Sequence, residues 1–95
     1  MVYEWNAEKA KANIRNHGIS FDEAATVFLD PLALTFPDPH HSGEEREITI
    51  GYTAGHHAVF VSHCQRGERI RIISARDATR RERRDYEEGI AKEFG

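Results

Sequence analysis

Apolar residues recur every three or four positions near the start of the chain and every two through its middle, so helices are expected first and strands afterwards. Val2 to Trp5 is a short β-branched and aromatic run that reads as a first strand, and Asn6 can cap the helix expected next. Ala7, Ala10, Ile14 and His17 mark one stripe of that helix, which Gly18 is suited to close in the left-handed conformation. Ser20 and Glu23 form a capping box. Phe21, Ala24, Ala25 and Phe28 give the second helix its buried side, and Asp30-Pro31 ends it because a residue before proline avoids helical dihedrals.

Leu32 to Phe36 then reads as a strand, followed by the loop PDPHHSGEE, the segment expected to be most mobile. Three further strands are expected at Arg46 to Tyr52, Ala58 to His63 and Arg69 to Ser74. Their linkers, TAGHH and CQRGE, are short and contain glycine, which favours antiparallel hairpins in a meander. Strict alternation puts Arg46, Ile48 and Ile50 on one side of the first. In the last it groups Ile70, Ile72, Ser74 and Arg76 against Arg69, Arg71 and Ile73. Thr79 and Glu82 open a final helix reaching about Glu93, with Tyr86, Ile90 and Phe94 as its packing stripe. The expected fold is α+β in a single domain over residues 1–95: a short N-terminal strand, two helices, a four-stranded antiparallel meander and a C-terminal helix.

Charge changes this picture. The chain of 95 residues carries a formal net charge of −3, which argues against a simple electrostatic binder of nucleic acid, but the charge is segregated. Seven acids face Arg46 alone between Ser20 and Ala58, whereas eight arginines face three acids between Arg66 and Arg84. Those eight bases are all arginine, which favours forked recognition of phosphate or carboxylate. The lone Cys64 excludes an intrachain disulfide and is expected to be buried at a strand end. No apolar run approaches the roughly 18 residues of a spanning helix, and the N-terminus has no signal-peptide pattern, so a cytoplasmic protein without a membrane partner is expected.

Arg80, Arg81, Arg83 and Arg84 crowd the first turns of the last helix, where the helix dipole disfavours cations by about 0.3–1 kcal/mol each. A docking anion accounts for this, as does a solvated, salt-bridged face. Arg69 and Arg71 are two apart on one strand, roughly 7 Å, near the spacing of successive phosphates. An edge strand guarded by charge is the alternative. Cleaving RNA without a metal needs a base, an acid and cations for the phosphorane, and imidazole suits the first two roles. His17 sits near a helix C-terminus, where the dipole favours its charged form, and His63 ends a central strand; for His17 a structural role is an equal alternative. The pairs His40-His41 and His56-His57 diverge in loops and match no zinc spacing, and no cofactor motif is present. Trp5, Phe28 and Phe60 are expected in the core, and Glu44 and Glu45 as solvated loop acids. Arg71 and Arg76, read as surface residues, should change stability by less than about 0.5 kcal/mol when truncated.

Three ordered blocks, EWNAEKAKANIRNHGISFDEAATVF, LALTFPD with EEREITIG, and RIRIISARDATRRERRDYEE, resemble the BrnT family of bacterial toxins over nearly the whole chain. The resemblance implies a RelE-like fold and a metal-independent endoribonuclease, the toxin of a type II toxin-antitoxin pair, inhibiting translation by cutting RNA. It implies a BrnA-like antitoxin as protein partner, operator DNA reached only through that antitoxin, and room for a higher-order toxin-antitoxin oligomer. By position it places His17, Arg46, Arg69, Arg71 and Arg76 in or near the active surface, with Arg80 and Arg81 alongside as RNA-binding residues. Phosphate binding and transition-state stabilisation fall to the arginines and proton transfer to His17 or His63. A nucleic-acid-binding or regulatory module without catalysis is the alternative from another class.

Overall fold

The computed structural model describes residues 2–40 and 45–94, with side chains as far as Gly89. Five strands, β1 (Val2–Glu4), β2 (Leu34–Pro37), β3 (Glu47–Tyr52), β4 (Ala58–Arg66) and β5 (Arg69–Asp77), form one mixed sheet in the order β1-β5-β4-β3-β2. Successive strands from β2 to β5 pair antiparallel, and β1 pairs parallel with β5, Val2 opposite Arg69 and Glu4 opposite Arg71. The N-terminal strand is thus a fifth member of the sheet, a placement that short-range patterning does not reveal. Helices α1 (Ala7–His17) and α2 (Phe21–Ala25), with a 3-10 turn at Thr26–Leu29, cover one face. Helix α3 (Arg80–Phe94) crosses the other, where Tyr86 packs with Ile48 and Ile50. Of its expected stripe, Ile90 and Phe94 lie outside the described side chains, as do His41 and Glu44 outside the described loop.

The caps agree with the sequence. Asn6 and Ser20 accept from the backbone N–H groups of Lys9 and Glu23, and Gly18 (φ 70°) donates to Ile14 O. The second helix tightens at Thr26, whose hydroxyl donates to Glu23 O at 2.6 Å, the kind of back-bond that bends helices. The inward side of α1 differs from the expected stripe. Ile14 is 51% exposed and His17 is exposed, while Asn13 is the buried residue of the helix. Its amide donates to Ile19 O and Ala75 O and accepts from Ala75 N–H, so hydrogen bonding rather than apolar spacing sets how α1 meets β5.

Two strands run longer than expected, β4 to Arg66 and β5 to Asp77, because the hairpin closes tightly at Gly67 (φ 62°) and leaves the flanking residues free to pair. Within that ladder Ser62 faces Ser74 but His63 faces Ile72, so Ile73 is an inserted residue. The bulge reverses the alternation. Arg76, paired with Phe60, therefore shares the α3 side of the sheet with Arg69 and Arg71 instead of opposing them. Ile72 and Ala75, three apart, both enter the core under α1 and α2.

Asp30 ties α3 to the rest. Its carboxylate accepts from the Leu32 and Tyr52 N–H groups and from the Tyr86 hydroxyl at 2.8 Å. Burial works to raise its pKa, but these donors prevail and hold it below the ordinary value. Burial, with the Asp30 carboxylate beside it, pushes the Tyr86 phenol up to about 12.

Candidate nucleic-acid interface

The sheet side bearing α3 gathers the arginines. Arg66, Arg69, Arg71 and Arg76 share it by register. The bond from Asp38 N–H to Arg46 O extends the β2–β3 ladder, so Arg46 continues the side of Ile48 and Ile50. Arg46 and Arg71 then flank Cys64 across two strand spacings, about 10 Å apart. Cys64 itself is buried and forms no disulfide.

Glu4 is a counter-ion that local patterning does not reveal. Arg71 Nη1 donates to Glu4 Oε2 at 2.7 Å, and Arg69 Nη1 lies 3.9 Å from Glu4 Oε1. Parallel pairing of β1 with β5 creates this contact across 67 residues. One carboxylate serves two guanidinium groups, and the Arg69 side chain is 63% exposed, so this end of the face keeps donors for another anion. The looser Arg69–Glu4 pair, exposed on its arginine side, contributes about 0–1 kcal/mol, and a phosphate can replace it at little cost. Arg46 Nε is buried without a hydrogen-bond partner among the described residues, a further donor awaiting an acceptor.

Arg76 is committed differently. Its two terminal nitrogens fork onto Glu82 at 2.8 and 2.9 Å, its guanidinium lies 3.9 Å over the Phe60 ring, and Nη1 also donates to Asp77 O. The hydrogen bond from Arg76 draws the Glu82 pKa down, against burial and with help from Thr79, and the same bond raises that of Arg76. Glu82 and Thr79 complete the reciprocal cap of α3. Arg76 therefore fixes where α3 starts, while Arg80, Arg81, Arg83 and Arg84 stand exposed on its first two turns.

The two histidines expected to transfer protons do not meet the sheet arginines. His63 is 4% exposed on the opposite face, edge-on to Phe28 at 4.9 Å, with Nε2 2.7 Å from Thr49 Oγ1, which in turn bonds Thr35. Burial lowers its pKa to about 4, so it is neutral at physiological pH. His17 is exposed at the end of α1, in the helical layer on that same opposite face.

A second cluster lies where the β3–β4 turn, the end of β5 and the start of α3 converge. A cleft of ≈ 390 Å³ is lined by Tyr52, His56, His57, Asp77 and Arg83, among others. His57 Nδ1 is 2.6 Å from Glu23 Oε2, which also accepts from Thr53 Oγ1. The separation of 34 residues between His57 and Glu23 hides the pair in the sequence, where the doubled histidine is the only signal. Among the described residues no three His, Cys, Asp or Glu side chains come together as a metal site, and no helix is long and apolar enough to cross a membrane.

A small α+β domain with three helices on a five-stranded mixed sheet and an arginine-bearing face is the class this structure defines. Residues 5–82 match the family described as the ribonuclease toxin BrnT of type II toxin-antitoxin systems, and the chain belongs to that family. A crystal structure of the Brucella abortus ribonuclease toxin BrnT superposes with a TM-score of 0.66 at 25% identity, covering 84% of this chain and 100% of that one. No protein with a curated description matches the chain. Membership implies an RNA substrate and an antitoxin partner. The matched span ends at Glu82, so the rest of α3, with Arg83 and Arg84, lies beyond it.

Proposed function

We propose that this chain is a metal-independent endoribonuclease of RelE-like type, which inhibits translation by cutting RNA and is silenced by a cognate BrnA-like antitoxin. The observation that carries this reading is the family match over residues 5–82, joined to an arginine face whose donors exceed its acids. Arg46, Arg69 and Arg71 hold the RNA backbone on the sheet, and Arg80 and Arg81 extend the track along α3. Arg76, although it borders that track, positions α3. His17 is retained as an exposed acid-base candidate at the edge of the molecule, and the buried His63 supports the sheet beneath.

An acidic antitoxin segment fits the same cationic track, so neutralisation and substrate binding compete for it. DNA is reached through the antitoxin, and a larger toxin-antitoxin assembly suits the chain's modest size. Expression in a bacterium, with and without the cognate antitoxin, tests the reading. Growth arrest with RNA loss, relieved by the antitoxin and by Arg69→Ala/Arg71→Ala, is the expected outcome. Soluble, abundant protein that leaves growth and bulk RNA unchanged refutes it and favours a nucleic-acid-binding module without catalysis.

A further inference from the structure

The turn TAGHH between β3 and β4 is built more firmly than a surface hairpin requires. Thr53 N–H bonds His57 O, His56 N–H bonds Thr53 O, and Thr53 Oγ1 accepts from His57 N–H. The turn is then stapled to α2: Ala54 N–H donates to Thr26 Oγ1 at 2.8 Å, and Thr53 Oγ1 donates to Glu23 Oε2 at 3.0 Å. His56 adopts φ 65°, a left-handed conformation that costs a non-glycine residue about 1 kcal/mol. That backbone allows two consecutive histidines to line one cleft. The His57 side chain is held there by Glu23, and His56 lines the cleft beside it.

The His57–Glu23 contact decides how the imidazole can act. A carboxylate only accepts, so at 2.6 Å the proton between them belongs to His57 Nδ1. Nε2 is then the nitrogen with the free lone pair. The His57 side chain is 61% exposed, so that nitrogen is within reach of a ligand, unlike the buried ring of His63. Arg83 brings a cation to the same cleft, and Tyr52, 37% exposed and edge-on to Tyr86, offers a ring on which a base can stack. The carboxylate of Asp77 adds an acceptor for sugar hydroxyl or base amino groups. A volume of ≈ 390 Å³ lies in the range that holds ligands of nucleotide size.

We propose that this cleft is the RNA-cleaving centre, with His57 as general base held by Glu23, Arg83 on the scissile phosphate and His56 as general acid. The proposal rests on the ribonuclease reading above and moves proton transfer away from His17 and His63. His57 Nε2 takes the proton of the ribose 2′-hydroxyl as its oxygen forms a bond to phosphorus. The bond from phosphorus to O5′ breaks, and O5′ takes a proton from the His56 imidazolium. The products are a 2′,3′-cyclic phosphate and a 5′-hydroxyl end. Proton exchange with water returns both imidazoles to their starting states, and no oxidant, reductant or other co-reactant is consumed. Glu23 is a positioning residue, setting the tautomer and ring orientation of His57. The exposed arginines of α3 lead RNA toward the cleft from outside.

The test uses the purified full chain on total bacterial RNA and on messenger RNA carried by translating ribosomes. Wild type is expected to leave 2′,3′-cyclic phosphate and 5′-hydroxyl ends. His57→Ala should lower the single-turnover rate by about 100-fold or more, the usual worth of a general base. Its thermal midpoint should stay within a few degrees, and its affinity for a 2′-deoxy-substituted, uncleavable RNA within about threefold. Added imidazole should recover part of the lost rate, which a merely structural role does not allow. Glu23→Gln should lower kcat about tenfold while leaving KM in place. Wild-type cleavage retained in His57→Ala overturns this proposal and leaves the ribonuclease reading standing. A wild-type chain inactive on both substrates overturns both.

Discussion

Truncating Arg76 separates a structural arginine from a substrate-binding one. Arg76→Ala removes a forked, charge-assisted pair to Glu82 and a stack on Phe60. Charge-assisted hydrogen bonds contribute about 1.5–3 kcal/mol when well buried. The Arg76 side chain is 37% exposed, so the lower end applies, about 1.5 kcal/mol. Lost stacking adds about 0.5–1 kcal/mol. A total near 2 kcal/mol lowers the midpoint of a domain this size by roughly 8–16 °C. This exceeds the fraction of a kcal/mol expected from the sequence, because the bulge at Ile73 turns the side chain onto α3.

Urea unfolding at several pH values is the assay. Glu82 has its pKa lowered chiefly by Arg76, so its ionised form stabilises the fold. That contribution is complete above the ordinary value of 4.5 and is lost as pH falls through the lowered one. The gap between wild type and Arg76→Ala should therefore be widest near neutrality and narrow below pH 4.5. Glu82→Gln should destabilise by a similar amount, and the double variant should cost little more than either single one. A midpoint within about 2 °C of wild type, or a gap unchanged into acid, refutes the clamp.

Asn13→Ala leaves Ile19 O, Ala75 O and Ala75 N–H without their partner and should cost about 3 kcal/mol in urea unfolding; a loss under about 1 kcal/mol means water replaces the amide. Burial depresses the His63 pKa to about 4 from 6.5, so the native state resists a proton that the unfolded chain accepts. Stability from this source is complete above pH 6.5 and falls by up to roughly 3 kcal/mol as pH drops toward 4. A proton NMR titration of the ring should show its midpoint near 4, and a midpoint above about 6 contradicts the buried placement.

What the sequence made legible was local. Caps at Asn6, Ser20 and Thr79 and the glycine closing α1 depend on residues within four positions of one another. Alternation of strand residues was legible until Ile73, where an extra residue leaves no mark in composition and reverses every later side chain. Asn13 interrupted an otherwise plausible apolar stripe, and its partners lie on the Ile19 turn and on β5, 62 residues away. The arginine cluster was visible as composition, but its division was not: Glu4 faces Arg69 and Arg71, Glu82 holds Arg76, and only strand pairing and the α3 cap assign these partners. The His57–Glu23 pair likewise exists only once α2 and the β3–β4 turn meet.

The most direct test of the central claim is whether the purified chain cuts RNA when chelator is in large excess over any divalent ion. Cleavage should persist, generate cyclic phosphate ends, and stop when purified cognate antitoxin is added in equimolar amount. RNA that stays intact, or cutting that chelator abolishes, contradicts it.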